Sequence, residues 1–379
     1  MNSLLQVVGI FGDVLQQKLF PSLSEEMGAM SERMEEFVRA LALVGLDGFV
    51  AVRQGRGRRP HDRSNIARAF LAKAIFNLPN TRALLERLAH DEILRRLCGW
   101  EAAAEVPDET VFSRAFAEFA RTQLPQRAQE ALVKRTRGQR LVGHILRDST
   151  AILVHEKPVE KAQKKEGREA KRRAHRKAGE KKNANQQGPV EKQWLEKKSA
   201  EELVAELPTA CDKGCKPNAQ GRREIWVGYK LHVDVADGEI PVSCVLTSAS
   251  VSDMLVAIPL AKMSAQRVVS CYEVMDRGYD CTAIRKHGEE LQHQPIILYQ
   301  KRGGEKPELA EHEEIRYRER SGVERFFSLL KGQYGGSTVR VRGAAKVMAH
   351  LMFGVLALAS DRVLRWAGLR DPEIEVAPA

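Results

Sequence analysis

The sequence predicts an α/β protein in which an all-helical region precedes a mixed sheet with flanking helices. Three observations lead there. Up to about residue 138 the apolar residues recur at helical spacing without a strand signal between them. From Leu141 the pattern changes to short apolar or alternating runs. After residue 140 the elements read in the order β, β, β, α, β, α, β, α, an order that folds as a sheet covered by helices.

Each element has a local reason. Helical periodicity runs through Arg68 to Phe76 and again through Leu84 to Leu88. Pro107-Asp108-Glu109-Thr110 precedes Val111, Phe112, Phe116 and Phe119, so an acidic or Thr N-cap opens a further amphipathic helix. The first strand is the apolar run from Leu141 to Leu146, which ends at Asp148 before Ala151 to Val154. Lys157 to Lys198 carries 15 Lys and Arg against 6 Glu, a net +9, and too few apolar residues for a core; it reads as a solvated helix or a disordered insertion. Ile225, Val227, Tyr229, Leu231, Val233 and Val235 then alternate with Trp226, Gly228, Lys230, His232 and Asp234, a strand with one buried face. Asp237-Gly238 makes a tight turn, and Ile240, Val242, Cys244 and Leu246 return antiparallel. Ser252-Asp253 caps a helix running to Lys262, and Val268 to Met275 is a buried strand ending at Asp276. A helix from Cys281 to Leu291, a strand from Pro295 to Tyr299 and one long helix from about Ile315 to Lys331 complete the sheet region.

Composition narrows the partners. A chain of 379 residues, 43% apolar, is long enough for two or three units with a sizeable core. Its net charge of +11 suits a polyanion, either nucleic acid or an anionic membrane surface. The longest apolar run, Leu351 to Ala359, falls short of the roughly 20 residues that cross a bilayer and reads as a core helix. No secretory leader is visible at Met1 to Leu4, which points to the cytoplasm. Six scattered cysteines look like reduced thiols; Cys211 and Cys215 have the spacing that opens some zinc sites but find no second pair, and read as free thiols in a loop.

The acids mark the chemistry. Asp148 and Asp276 stand at strand ends, where α/β sheets build sites, and a carboxylate that breaks an apolar run is costly unless paired or bound to a cation. Glu324 lies in the last helix. At about 100° per residue Tyr317, Arg320, Glu324 and Lys331 fall at about 0°, 300°, 340° and 320°, one face, beside an apolar stripe of Val323, Phe326, Phe327 and Leu330. Such a face suits a phosphate backbone: the acid for a divalent ion, the cations and phenol for phosphate oxygens. An exposed helix face with ordinary salt pairs has the same pattern.

These residues resemble the insertion-sequence DDE transposases that carry a Tyr-x2-Arg-x3-Glu-x6-Lys signature. Tyr317, Arg320, Glu324 and Lys331 match its spacing; Asp148-Ser-Thr150 resembles the family's first-Asp segment and Asp276-Arg-Gly-Tyr-Asp280 its second. Trp226 to His232 and Thr247 to Asp253 resemble the segments between, and Phe70 to Phe119 resembles, more loosely, its end-binding helical region. The resemblance implies a ribonuclease-H-like catalytic fold in which Asp148, Asp276 and Glu324 bind two magnesium ions, with manganese as a substitute, while Tyr317, Arg320 and Lys331 hold DNA. It implies double-stranded DNA partners, both inverted repeats and target, a homodimer on that DNA, no membrane, and a cytoplasmic, nucleoid-associated bacterial location. The expected division is a helical DNA-end-binding domain at 1–138, a catalytic domain at 139–340 with a basic insertion at about 156–215, and a C-terminal helix and tail at 341–379. Two alternatives share these residues: a related metal-dependent nuclease without strand transfer, and a degenerate transposase that only binds DNA.

Secondary positions carry expectations of their own. Asp253 reads as an N-cap rather than a metal-site acid. Lys230 and His232 share the polar face of their strand, solvent-exposed and able to approach DNA. Asp280 reads as a helix cap. Gly322 predicts a local kink in the last helix, and the basic insertion is expected to track DNA phosphates nonspecifically.

Overall fold

The computed structural model describes residues 30–50, 61–138, 140–159, 188–217, 220–299 and 308–368. Most of the basic insertion, 160–187, lies outside the described residues, and the expectation that it tracks DNA falls there with it.

Before the sheet come α1 (Glu32–Val44), α2 (Arg63–Ile75), α3 (Thr81–His90), α4 (Glu92–Cys98), α5 (Glu109–Arg121) and α6 (Leu124–Arg137). The first five are side-chain capped by short polar residues: Ser31 accepts from the Met34 amide, and Asp108 accepts from the Thr110 and Val111 amides, as the Pro107-Asp108 segment predicted, whereas α6 has Gln123 at its N-cap position without such a bond. Phe70 of α2 packs against Phe112, Phe116 and Phe119 of α5 and Phe353 of the last helix, with ring centroids 4.8 to 6.2 Å apart. Each such buried ring contributes about 1.5–3 kcal/mol.

The sheet is built from β1 (Leu141–Leu153), β2 (Asp212–Pro217), β3 (Arg223–Ala236), β4 (Ile240–Ser248), β5 (Val269–Met275) and β6 (Gln294–Ile297). Its spatial order is β2, β3, β1, β5, β6, with β4 also on β3. Gly228 pairs with Leu153 of β1 and with Asp212 of β2, so β2 and β4 lie end to end on the edge of β3 that faces away from β1. β1 is antiparallel to β3 and parallel to β5, and β6 continues the parallel half. This mixed α/β sheet behind a helical N-terminal region has the ribonuclease-H-like arrangement. The strand β2 was not visible in the sequence, and it puts Cys215 on a strand rather than in a loop.

Helices cover both faces of β3. Ser264 of α9 (Met254–Ala265) bonds Asp234 on one face, while Leu231, Val233 and Val235 face the large core shared with α12 (Ser321–Gln333) and α13 (Ala344–Trp366). The short helices α7 (Pro189–Leu195) and α8 (Ala200–Ala205) pack on α9, α10 (Thr282–Glu290) follows β5, and α11 (Glu311–Arg318) precedes α12. Two-sided cover corrects the one-sided reading of β3: its polar positions His232 and Asp234 are as buried as its apolar ones.

The final helix is longer than its apolar run suggested. It spans 23 residues, and an 18-residue window in it reaches a mean hydropathy of 1.5, enough in length and composition to cross a membrane, yet 83% of that window is buried in the protein. It packs against α1, α2, α5, α6 and β4, so helical region and sheet share one core. Gln129 of α6, fully buried, adds a polar joint by donating to the Pro241 carbonyl at 2.6 Å.

The expected single helix from Ile315 to Lys331 is two. α11 ends at Arg318 and α12 begins at Ser321, joined by Glu319 and Arg320, with tight i to i+3 bonds from Gly322 N to Glu319 O and from Val323 N to Arg320 O. The break falls beside Gly322, where the sequence predicts a kink, and the helix lies close to β1 there: a Cβ on Gly322 would be 2.8 Å from the Leu146 Cδ1. The expected apolar stripe holds, with Val323, Phe326 and Leu330 fully buried.

Candidate active site

Strand register brings the two aspartates together. The parallel ladder of β1 and β5 ends at the pair Arg147 and Met275, so Asp148 and Asp276 are the next residues on neighbouring strands, whose spacing is about 4.8 Å. Asp148 does not end its strand, as the apolar pattern suggested. β1 runs on to Leu153 because β3 still pairs with it, Asp148 opposite Val233, after β5 has stopped.

The electrostatics agree with that placement. Burial, and then the charges of Asp276 and Asp253, push the Asp148 carboxyl up to about 6 against the Ser149 amide and Arg320, which favour the charged form. Asp148 accepts from the Ser149 amide at 2.7 Å, and Asp276 from the Gly278 amide at 2.7 Å. Arg320 joins the third acid to the first: it reaches Asp148 Oδ2 at 3.4 Å and Glu324 Oε1 at 2.7 Å. Glu324 is the most exposed of the three, at 58%. Tyr317 sits beside Arg320 on α11, its hydroxyl pKa raised by burial. Lys331 donates to Thr150 Oγ1 at 2.6 Å, two residues along β1 from Asp148. Arg320 and Lys331 thus meet the same strand, and Glu324 joins it through Arg320, across a helix break rather than on one continuous face.

Behind β1, on the α9 side, stands an acid that sequence reasoning set aside. Asp253 does not cap α9: it has helical dihedrals, and its carboxylate makes no cap bond. Instead Asp253 Oδ1 accepts from Ser149 Oγ at 2.9 Å and from Lys230 Nζ at 3.0 Å, with His232 Nδ1 3.7 Å away. A Ser-Asp pair before an apolar run signals an N-cap locally, and only the strand pairing reveals the other use. Lys230 is held by this bond and by the Val251 carbonyl at 2.9 Å. His232 is not exposed: it is fully buried, its Nε2 is 2.9 Å from Thr247 Oγ1, and burial lowers its pKa to about 4, so it is neutral and away from any DNA surface. Asp280 likewise pairs with Arg285 at 3.0 Å, and the N-cap position of α10 is Cys281.

Sequence reasoning also passed over Tyr279. Its buried hydroxyl has no hydrogen-bond partner among the described residues, and it feels the charges of Asp253, Asp148 and Asp276. Tyr279 follows Asp276 by three residues, but nothing in a Gly-Tyr pair announces an orphaned phenol.

Hard oxygen donors of this kind suit magnesium or manganese. The donor set fits in kind: adjacent carboxylates, one with a raised pKa, beside a buried hydroxyl with an unused oxygen. Among the described residues no three carboxylate, imidazole or thiol groups enclose a single ion position, because Arg320 lies between Asp148 and Glu324 in the present arrangement. Cys211 and Cys215 are free thiols, the first buried and the second exposed.

A sheet of this topology, with aspartates where its parallel ladder ends and a glutamate on the covering helix, defines a ribonuclease-H-like domain with a carboxylate site. Comparison with known families gives the same answer. The model described as a transposase DDE domain matches residues 204–359, and a second transposase domain matches residues 23–118. The chain belongs to the insertion-sequence DDE transposases. Asp276 and Glu324 fall within the first match, whereas Asp148 lies upstream and joins them through the pairing of β1 with β5. No curated protein matches the chain.

Proposed function

We propose that the protein binds the terminal inverted repeats of its own element, cleaves phosphodiester bonds there and joins the freed 3′ ends to target DNA. The observation that carries this reading is the placement of Asp148 and Asp276 immediately after the last pair of the β1–β5 ladder, with Glu324 tied to Asp148 through Arg320.

Asp148, Asp276 and Glu324 are the residues that would hold two magnesium ions, or manganese, which supply Lewis acidity to the scissile phosphate and a more acidic attacking oxygen. The chain's own groups do the rest. Arg320 and Lys331 offer cations, and Tyr317 a hydroxyl, to the phosphate backbone and fix the scissile phosphorus before the acids. Asp253, bonded to both Lys230 and Ser149, the residue after Asp148, orients that segment of β1 from behind, and Lys230 adds a further positive charge. The attacking oxygen of water or a 3′ hydroxyl bonds to phosphorus as the bond to the leaving oxygen breaks; the proton lost by the first and the proton gained by the second exchange with solvent. No covalent link to the protein is required, and the rate gain comes from positioning and charge. Pairing two DNA ends asks for a homodimer, and the DNA substrate places the enzyme in the bacterial cytoplasm at the nucleoid. The helices before residue 138 supply the end-binding surface in this reading.

The test is incubation of the purified protein with magnesium and DNA carrying the ends that flank its gene, wild type beside Glu324→Gln. Wild type is expected to cut at the ends and yield joined products, and the variant neither. Equal cutting by both overturns the site, and cutting without joining reduces the activity to that of a nuclease.

A further inference from the structure

Away from the carboxylates, four cations gather around a cavity in which, among the described residues, Glu109 is the one acid. A cavity of about 380 Å³ opens between α2, α3, α5 and the start of α13, and Lys73, Arg340, Arg342 and Lys346 line it. Lys73 is only 8% exposed, and among the described residues its side chain has no hydrogen bond or ion pair, while its carbonyl accepts from the Leu78 amide. The acid in the wall, Glu109, is turned to Arg82 at 3.7 Å. His350, also in the wall, gives its Nε2 to the Gly335 carbonyl at 2.9 Å, and burial together with the charge of Lys73 lowers its pKa to about 4, so it adds no charge and removes none. An ammonium that is poorly solvated and lacks a partner is costly, and burial of the side chain lowers the pKa of Lys73 to about 8. Such a group becomes favourable when an anion from outside fills the cavity.

β1 connects this cavity to the acids. From Asp148 the strand passes Thr150, where Lys331 is bonded, and reaches Val154, which bridges Val339, the residue before Arg340. Lys331 is itself crowded by a like charge, Lys216. Six residues of strand cover about 20 Å, and one DNA strand presents a phosphate about every 3.4 Å of helix axis. A DNA backbone laid along this strand would span about six phosphates between the acids and the cavity.

We propose that this cavity is a phosphate seat: Lys73, Arg340, Arg342 and Lys346 grip the backbone of the duplex whose end lies in the carboxylate site, about six nucleotides from the bond that is cut. The inference rests on the transposase reading above and adds to it a second, remote anchor that fixes the direction in which DNA leaves the acids. Because the contact is to phosphate, it reads position and not sequence.

The test compares wild type with Lys73→Met and with the double variant Arg340→Gln, Arg342→Gln. Methionine keeps the apolar stem and drops the charge. Binding of duplex DNA from the ends that flank the gene is measured across salt concentrations, alongside thermal unfolding, and repeated with a single neutral methylphosphonate moved along the strand. The expected result is a salt slope lowered by about one for each cation removed. Lys73→Met is expected to unfold at a higher temperature than wild type while binding DNA more weakly, a combination that a merely structural lysine does not give. A methylphosphonate about six nucleotides from the cut should weaken wild type and leave the variants unchanged. Wild type that binds DNA with the same slope as the variants overturns the seat alone. Wild type that binds no duplex overturns both the seat and the function on which it rests.

Discussion

Replacing Arg147 with methionine tests how the catalytic strand is held. Arg147 is 1% exposed and precedes Asp148. Its Nε and Nη2 donate to the two oxygens of Asp234 on β3 at 2.8 Å each, and its Nη1 and Nη2 reach Glu273 on β5 at 3.4 Å each. One guanidinium thus ties β1 to both neighbours just before the strand delivers its carboxylate. Arg147→Met fills much of the same volume but leaves two buried carboxylates without their cation, a change that costs about 3–5 kcal/mol. A second route gives a similar figure. Burial alone would raise Glu273, but the charge of Arg147 and the bond with His293 outweigh it and bring the carboxyl from its ordinary 4.5 down to about 2. At about 1.4 kcal/mol per pH unit, that depression is worth about 3 kcal/mol. Asp234 goes the other way, because burial outweighs its bonds to Arg147 and Ser264; two carboxylates share one cation, and one of them takes up a proton more readily. A folded pKa below the unfolded value gives stability that is present above about pH 4.5 and is lost as pH falls toward 2. Urea unfolding of wild type and variant should therefore differ by about 3 kcal/mol at neutral pH, with the difference shrinking below pH 4.5. A gap under about 1 kcal/mol at neutral pH, or one that does not respond to acid, refutes the reasoning.

Three further changes follow from the same structure. Asp253→Asn keeps the shape but removes the charge that holds Lys230 behind Asp148; cleavage should fall about ten- to a hundredfold with the unfolding midpoint little changed, and a full-rate variant would deny Asp253 any part in positioning. Gly228 has φ +150°, and a Cβ there would lie 2.0 Å from the Ile152 carbonyl oxygen, so Gly228→Ala should cost about 1–3 kcal/mol by forcing β3 off β1; an unfolding curve equal to wild type contradicts that contact. Lys331→Met removes the cation bonded to Thr150, and the salt dependence of DNA binding should drop by about one in slope; an unchanged slope means that Lys331 touches no phosphate.

The sequence made some of this legible and hid the rest for physical reasons. Asp148 and Asp276 stood out because an acid interrupts an apolar strand wherever the sheet needs one, and the structure sets them side by side. That β1 continues past Asp148 was hidden, because the chain does not announce that one neighbour stops while the other goes on. Alternation correctly assigned the two faces of β3, yet it could not tell that α9 lies over the polar one, so His232 looked exposed and is buried. Asp253 illustrates the same limit: local grammar predicts a cap, while Ser149 and Lys230, distant in sequence, claim the carboxylate. The periodicity of 315–331 was real in its apolar stripe, but the segment divides into α11 and α12 at Glu319 and Arg320, just before Gly322. Across that break Arg320 sits at the joint and bonds Glu324 one turn later, while Lys331 reaches Thr150 of β1.

The most direct test of the central claim measures cleavage of end DNA by Asp148→Asn, Asp276→Asn and Glu324→Gln, each beside its affinity for the same DNA. If the three acids form one centre, each variant loses several kcal/mol of transition-state stabilisation, a rate fall of about a thousandfold or more, while binding stays within a few-fold of wild type. Any one of the three variants that cleaves at the wild-type rate removes that residue from the centre and contradicts the account.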